Sequence, residues 1–254
     1  MTDAIVLDQV RKAYDGATVL QPASLSIPRG QFVALVGGSG AGKTTLLKTI
    51  NGLVAPDGGQ VRIDGAATSG LDGPALRRRI GYVFQEVGLF PHLTVAENIG
   101  IVPTLLGWDA AAIASRTAEL LDLVALPRAV AARRPAALSG GQRQRVGVAR
   151  ALAAKPSILL MDEPFGALDS VTRTALADDV RHLHDQLSLT TVMVTHDIAE
   201  AVLLTDRIVV MSQGGVIADD TPRALLAGHP DPAVEALMQA PRRQATRMRE
   251  IVGE

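Results

Sequence analysis

The chain has 254 residues, with 25 Lys and Arg against 26 Asp and Glu, and it contains no cysteine. A net charge of −1 offers no basic field for nucleic acid, and aromatics at 3% leave little for stacking bases. Without cysteine there are no disulfides, thiolate metal sites or thiol chemistry.

At 47% hydrophobic, the chain can bury a sizeable core, as one large domain or one domain with an inserted subdomain. The opening MTDAIVLDQV has no basic segment followed by a long apolar core, so it does not read as a secretory signal. Charges, prolines and glycines interrupt every apolar run short of the roughly 18 residues a membrane helix needs. Membrane work by this chain would require another chain to supply the span.

In chain order, residues 4–10 and 24–27 read as strands, punctuated by Asp15-Gly16 and Pro28-Arg29-Gly30. Phe32–Val36 is a continuous apolar run, the pattern of a strand buried on both faces. Next comes Gly37-Gly38-Ser39-Gly40-Ala41-Gly42-Lys43-Thr44-Thr45, after which Leu46, Leu47 and Ile50 fall at helical spacing. The spacing Gly37-x-x-x-x-Gly42-Lys43-Thr44 fits a phosphate-binding loop. Glycines there let successive backbone N–H groups wrap a phosphate, and the helix N-terminus adds its partial positive charge. Lys43 then reaches the β- and γ-phosphates, and Thr44 offers its hydroxyl to Mg²⁺.

Residues 61–64 and Ile80–Gln85 read as further strands. From about Pro91 to Pro156 Ala, Leu and Arg dominate at helical periods, with Ile113, Leu120, Leu121 and Val124 in one segment and Val146, Ala149, Leu152 and Ala153 in another. Strands return at Ser157–Met161, Thr191–Thr195 and Arg207–Met211, and Gln213-Gly214-Gly215 sets the last against Val216–Asp219 as a hairpin. The alternation implies an α/β core interrupted by a helical subdomain at about 88–156. Residues 241–254, with Arg242, Arg243, Arg247 and Arg249, read as a basic tail beyond a domain of 1–240. The tail suits a solvated helix or frayed end, or a membrane-surface or partner contact.

A phosphate loop names no reaction by itself. Ile158-Leu159-Leu160-Met161-Asp162-Glu163 adds a buried strand ending in two carboxylates. Asp162 suits Mg²⁺ held through water, and Glu163 suits a general base facing an attacking water. The plain alternative is a strand end that turns acidic. Ser139 followed by Gln142 fits a capping box at a helix start; the same turn, Ser139-Gly140-Gly141, also exposes N–H groups as a second anion site.

Taken in this order, the motifs resemble those of the nucleotide-binding subunit of ATP-binding cassette (ABC) transporters, over about Ile5 to Asp220. The phosphate loop corresponds to Walker A, ILLMDE to Walker B, and Leu138-Ser139-Gly140-Gly141-Gln142 to the family signature. Gln85 matches the Mg²⁺-sensing glutamine, Ala167-Leu168-Asp169 the D-loop, His196 the switch histidine, and Tyr14 the aromatic that stacks on adenine. Gly38 and Ala41 stand where proline and serine are frequent, and neither position supplies required side-chain chemistry.

The resemblance implies a RecA-like P-loop NTPase core, an N-terminal antiparallel β subdomain and an inserted α-helical signature subdomain. It implies ATP and Mg²⁺ as ligands. It further implies a head-to-tail homodimer in which Ser139–Gly141 of one chain closes on the nucleotide held by Lys43 of the other. Separate permease subunits, an extracytoplasmic substrate-binding protein reached through them, and a place at the cytoplasmic face of the membrane complete the expectation.

Glu163-Pro164-Phe165-Gly166-Ala167-Leu168-Asp169 is more similar to importers than exporters. Gly81–Ile99 is most similar to uptake systems for osmoprotectants such as glycine betaine, choline or carnitine, with amino acids, polyamines and sulfonates as alternatives. A soluble ABC ATPase acting on DNA or ribosomes, and an unrelated phosphotransferase, are the other classes. The residues after Asp220 are expected to be too few for a C-terminal regulatory domain. Within Gln85–His92, Val87, Leu89 and Phe90 are read either as local core or as the lining of a groove for a permease helix.

Overall fold

The computed structural model describes residues 3–252. Met1, Thr2, Gly253 and Glu254, the outer ends of the expected domain and tail, lie outside them.

Asp15-Gly16, both at positive φ, turn β1 (Asp3–Tyr14) onto β2 (Ala17–Pro28) as an antiparallel hairpin. After β3 (Phe32–Val36) and α1 (Lys43–Ile50), β4 (Gly58–Ile63) joins the free side of β1, and β5 (Ala66–Ala67) closes the order β2-β1-β4-β5. This is the expected N-terminal antiparallel subdomain. It packs Ile5, Leu7, Leu20, Leu25 and Ile27 against Leu46, Leu47 and Ile50 of α1.

The second sheet has the order β10-β9-β3-β8-β7-β6. It comprises β6 (Ile80–Val83), β7 (Ile158–Asp162), β8 (Thr190–Val194), β9 (Arg207–Ser212) and β10 (Gly215–Asp220), with β3 in its interior. All neighbours run parallel except β9 and β10, the predicted hairpin, which turns on Gln213-Gly214. Strands β3, β7 and β8 are buried at every position, as their unbroken apolar runs require.

α2 (Gly73–Arg78) precedes β6; between β6 and β7 lie α3 (Val95–Leu105), α4 (Ala110–Leu123) and α5 (Gly140–Leu152), with short 3-10 turns at Arg128–Ala132 and Pro135–Ala137. This is the helical insertion. Ile99, Leu120, Leu121, Val146 and Leu152 form its core, continuous with Phe165 and Leu176 of the sheet-side layer. Buried Arg116 donates to the Leu152 carbonyl at 2.8 Å, satisfying the last turn of α5.

α6 (Ser170–Leu187) leads to β8, α7 (Ile198–Leu204) to β9, and α8 (Pro222–Ala227) and α9 (Pro232–Val252) follow β10. α9 runs through position 241, so the expected tail is helical as far as it is described. No helix among the described residues is long and apolar enough to cross a membrane. The turns after β3, β7 and β8 leave the sheet at one edge, where open α/β sheets place their ligand sites.

Candidate functional site

Four strand ends supply the site, those of β3, β6, β7 and β8. After β3, Gly37–Gly42 wrap back toward the β2 edge: a Cβ on Gly42 would stand 2.7 Å from the Val19 carbonyl oxygen and 2.9 Å from Leu20 Cδ2. Gly42 and Gly40 have φ of 89° and 77°, a backbone that side chains resist. Helices α2 to α8 are each capped by an Asp, Ser or Thr side chain. By contrast α1 begins at Gly42 with no side-chain cap and no acid in its first turn, so its N–H groups point into the cavity uncompensated.

Lys43 is buried there, its Nζ donating to the Gly37 and Gly38 carbonyls at 2.8 Å each. Burial lowers its pKa, and the carboxylates of Glu163 and Asp162 oppose that shift. The Thr44 hydroxyl donates to Asp162 Oδ1 at 2.8 Å, joining α1 to the end of β7. On the other side of Asp162, the Tyr82 hydroxyl donates to Oδ2 at 3.3 Å. Burial is the main cause of the raised Tyr82 pKa, with the charge of Asp162 adding to it. Tyr82 is a site residue that sequence reasoning missed; its signal is a polar tip within the apolar strand beside Walker B.

Glu163 follows at φ 45°, its N–H donating to the Val194 carbonyl at 2.9 Å. Gln85 Nε2 donates to Glu163 Oε2 at 3.2 Å, and His196 Nδ1 lies 3.3 Å from the same oxygen. One carboxylate is therefore addressed from two loops, and Gln85 reaches it from just past the end of β6. Ser39, Gly40, Ala41, Gly42, Lys43, Thr44, Thr45, Glu163, His196 and Val19 line a cavity of about 440 Å³.

The oxygens of Thr44 and Asp162 are the hard donors Mg²⁺ prefers, and a Mg²⁺ that keeps waters and shares phosphate oxygens needs few protein ligands. Among the described residues no cluster of three His, Asp or Glu exists to make an all-protein cage.

Other expected site residues stand outside this cavity. Ser139 and Gln142 form the capping box of α5: Gln142 N–H donates to Ser139 Oγ at 3.2 Å, and Ser139 N–H to Gln142 Oε1 at 3.0 Å. Gly140 is exposed in the same turn, and Gly141 is half-buried against Thr172. Asp169 caps α6 by accepting from Thr172 N–H at 3.0 Å, the bond that chiefly lowers its pKa. Tyr14 is exposed at the tip of the β1–β2 hairpin, with Lys12 Nζ 5.3 Å from its ring centroid.

The segment after Gln85 divides. Leu89 packs on the core of the helical subdomain, and Val87 covers Gly147 of α5 so closely that a Cβ there would meet it at 2.9 Å. Arg150 fastens the segment through the Val87 and Gly88 carbonyls, and buried Asn98 through Phe90. The large apolar side chain of the segment left exposed is Phe90; Phe84, just before Gln85, is exposed as well. Phe84 lines a groove of about 340 Å³ with Leu53, Val102 and Arg150.

Comparison with known proteins agrees with this geometry. The family model described as ABC transporter matches residues 20–166, more than half of the chain. The "Choline transport ATP-binding protein OpuBA" of Bacillus subtilis is 45% identical over 91% of this chain, which spans 61% of that relative. The "Osmoprotectant import ATP-binding protein OsmV" of Salmonella typhimurium is 47% identical over 86% of the chain and 57% of the relative. The "Glycine betaine uptake system ATP-binding protein YehX" of Escherichia coli is 47% identical over 87% of the chain and 72% of the relative. The chain thus spans about three fifths of the length of several curated relatives. A dimeric post-hydrolysis ATP-binding cassette bound to ADP and Pi superposes with TM-score 0.78 at 36% identity, covering 86% of this chain and 99% of that one. The cbiO1 subunit of the Clostridium perfringens cbiONQ complex superposes with TM-score 0.83 at 27% identity, covering 89% and 92%. The phosphate cradle, the doubly addressed glutamate and these matches lead to one conclusion: the chain belongs to the ABC transporter family of ATP-binding cassettes.

Proposed function

We propose that this chain is the ATP-hydrolysing subunit of an importer for osmoprotectants such as glycine betaine, choline or carnitine. The observation that carries the catalytic part is Glu163 Oε2, reached by both Gln85 and His196 on the wall of the Lys43–Thr44 cavity. The glycine loop and the open N-terminus of α1 receive the phosphates, and Lys43 exchanges its two loop carbonyls for phosphate oxygens. Tyr14 stacks on the adenine. Thr44 and Asp162 hold Mg²⁺, which when bound neutralises charge on the phosphates. Glu163 takes a proton from the attacking water, while His196 and Gln85 fix where its carboxylate points.

The Ser139–Gly141 turn serves the nucleotide of a second copy in a head-to-tail homodimer. The Phe84–Leu53 groove receives a short helix of a separate permease at the cytoplasmic face of the membrane, and a substrate-binding protein acts through that permease. Nucleic acid has no part in the reading.

Two measurements test it. Purified Glu163→Gln should bind ATP normally while turnover falls by about 10²- to 10⁴-fold, the usual contribution of a general base. With its permease in vesicles, the chain should drive ATP-dependent uptake of labelled glycine betaine or choline. A second importer reading rests on a specific likeness: the "Sulfate/thiosulfate import ATP-binding protein CysA" of Salmonella typhi is 48% identical over 86% of the chain. Uptake of sulfate in place of quaternary amines would select it.

A further inference from the structure

The first turn of α6 is a junction between loops that the proposed reaction uses separately. Asp169 caps it. Thr172 Cγ2 lies 2.4 Å from where a Cβ on Gly141 would stand, so the signature turn rests directly on α6. One residue later, Arg173 reaches the opposite way. Its Nη2 donates to the Leu168 carbonyl of the D-loop at 3.0 Å. Its Nη1 faces Asp197 Oδ2 at 3.7 Å and its Nε faces Glu200 Oε1 at 3.9 Å.

Those two carboxylates hold the chain around His196. Asp197 caps α7 by accepting from the N–H groups of Ala199 and Glu200. Glu200 Oε2 accepts from the Thr195 hydroxyl at 2.7 Å, and that hydroxyl in turn accepts from Asp197 N–H at 3.0 Å. The residues on both sides of His196 thus belong to one ring of bonds, and Arg173 connects that ring to the D-loop.

The connection is not at its tightest. Both carboxylates lie at ion-pair distance, beyond hydrogen-bond reach, and Arg173 Nε is buried without an acceptor. A buried N–H left unpaired in a charged cluster calls for an explanation. A small shift of α6 toward α7 would close Nε onto Glu200.

We infer that Arg173 is a positioning residue for His196: it links the D-loop and the signature-bearing face of α6 to the loop that aims the histidine at Glu163. Displacement of the signature turn is passed through Thr172 and Arg173 to the switch histidine of the same chain. The inference rests on the ATPase reading above for its kinetic consequence, and on geometry alone for its effect on His196.

The test uses the full chain with Arg173→Ala and Arg173→Lys. Steady-state ATP hydrolysis should show kcat lowered roughly tenfold in Arg173→Ala, with KM for ATP within about twofold, because the phosphate cradle is untouched. Arg173→Lys, which keeps the charge and loses the fork, should recover part of kcat. Independently of hydrolysis, the His196 imidazole signal in the NMR spectrum of the nucleotide-free chain, assigned by its loss in His196→Ala, should move in Arg173→Ala. If Arg173→Ala does not fold, Glu200→Gln, which keeps the shape and the Thr195 bond, must produce the same shift and the same kcat loss. An unmoved His196 signal overturns the inference, as does a loss expressed in KM with kcat unchanged. If the wild-type chain fails to hydrolyse ATP, the ATPase reading falls and the His196 signal alone decides the link.

Discussion

Substituting alanine for three glycines of the phosphate loop separates backbone conformation from close packing. Gly38 has φ outside the left-handed region, and a Cβ there meets nothing within 4 Å. Gly40 has φ 77° and is equally open. Gly42 has φ 89°, and its Cβ would sit 2.7 Å from a backbone oxygen and 2.9 Å from a buried leucine methyl. Alanine at position 38 should stabilise the nucleotide-free chain by about 0.4–1 kcal/mol, through the loss of freedom in the unfolded state. At position 40 a left-handed alanine costs about 1–2 kcal/mol, which the same gain reduces to a net of about 1 kcal/mol. At position 42 overpacking adds about 1–3 kcal/mol to that, for a net loss of about 2–4 kcal/mol.

Equilibrium urea unfolding without nucleotide reads these differences as midpoint shifts at constant m. The order Gly38→Ala, Gly40→Ala, Gly42→Ala must run from gain to largest loss. Equal losses at 40 and 42 would mean that the Val19–Leu20 wall yields freely, which would refute packing of β2 against the loop as the reason position 42 is glycine. A loss above about 1 kcal/mol at 38 would refute the open space assigned to it.

Three further outcomes follow from the contacts described. Gly141→Ala should destabilise the chain by about 1–3 kcal/mol through overlap with Thr172 Cγ2, and Thr172→Ser, which removes that methyl, should restore most of it in thermal melts of the double variant. Tyr82→Phe should cost about 0.5–1.5 kcal/mol in chemical unfolding by removing the hydroxyl donor to Asp162. His184 is buried against Phe32 and bonded to the Thr191 hydroxyl, and burial lowers its pKa below 6.5. The folded state therefore binds fewer protons than the unfolded one, and its contribution, complete above pH 6.5, is lost as pH falls below that value through the lower folded pKa. His184→Gln should lose less stability between pH 7 and 5 than the wild type, read by urea midpoints at each pH.

Where one local rule decided a feature, the feature was legible in the sequence. Phe32–Val36 had to be a strand because five apolar residues precede a glycine loop, and Ser139 with Gln142 had to cap a helix because the box is written in the residues. The geometry bears out both. The site was less legible where it depends on neighbours far apart in sequence. Tyr82 reaches Asp162 because β6 lies beside β7 in a parallel register, which no spacing of residues announces. The division of Gln85–His92 depends on Arg150 and Asn98, which fasten the backbone and turn Leu89 inward while Phe90 stays out. An apolar residue in a loop looks the same in sequence whichever way tertiary bonds turn it. The helical course of residues 241–252 likewise follows from α9 continuing past Pro241, although proline commonly ends a helix.

On the proposed reading, a single copy of this chain builds only one wall of the ATP site. The cavity holds the phosphate loop, Glu163 and His196, yet the His196 side chain remains 65% exposed and no residue of the signature turn lines the same space. A γ-phosphate seated there would meet donors from the glycine loop and α1 on one side and solvent on the other. Solvent is a poor stabiliser of a transition state, because its dipoles must reorganise as charge moves, whereas fixed N–H groups need not. On the proposed reading, the N–H groups of Gly140 and Gly141 in the signature turn of a second copy would replace that solvent. The capping box satisfies the N–H groups of Ser139 and Gln142 on either side of them and leaves Gly140 exposed and Gly141 half-buried. Closure would then press the signature turn against α6 through Gly141 and Thr172. The motion that completes one site would thereby be felt at the Arg173–Asp197 junction of the other, so the two nucleotides would not be independent.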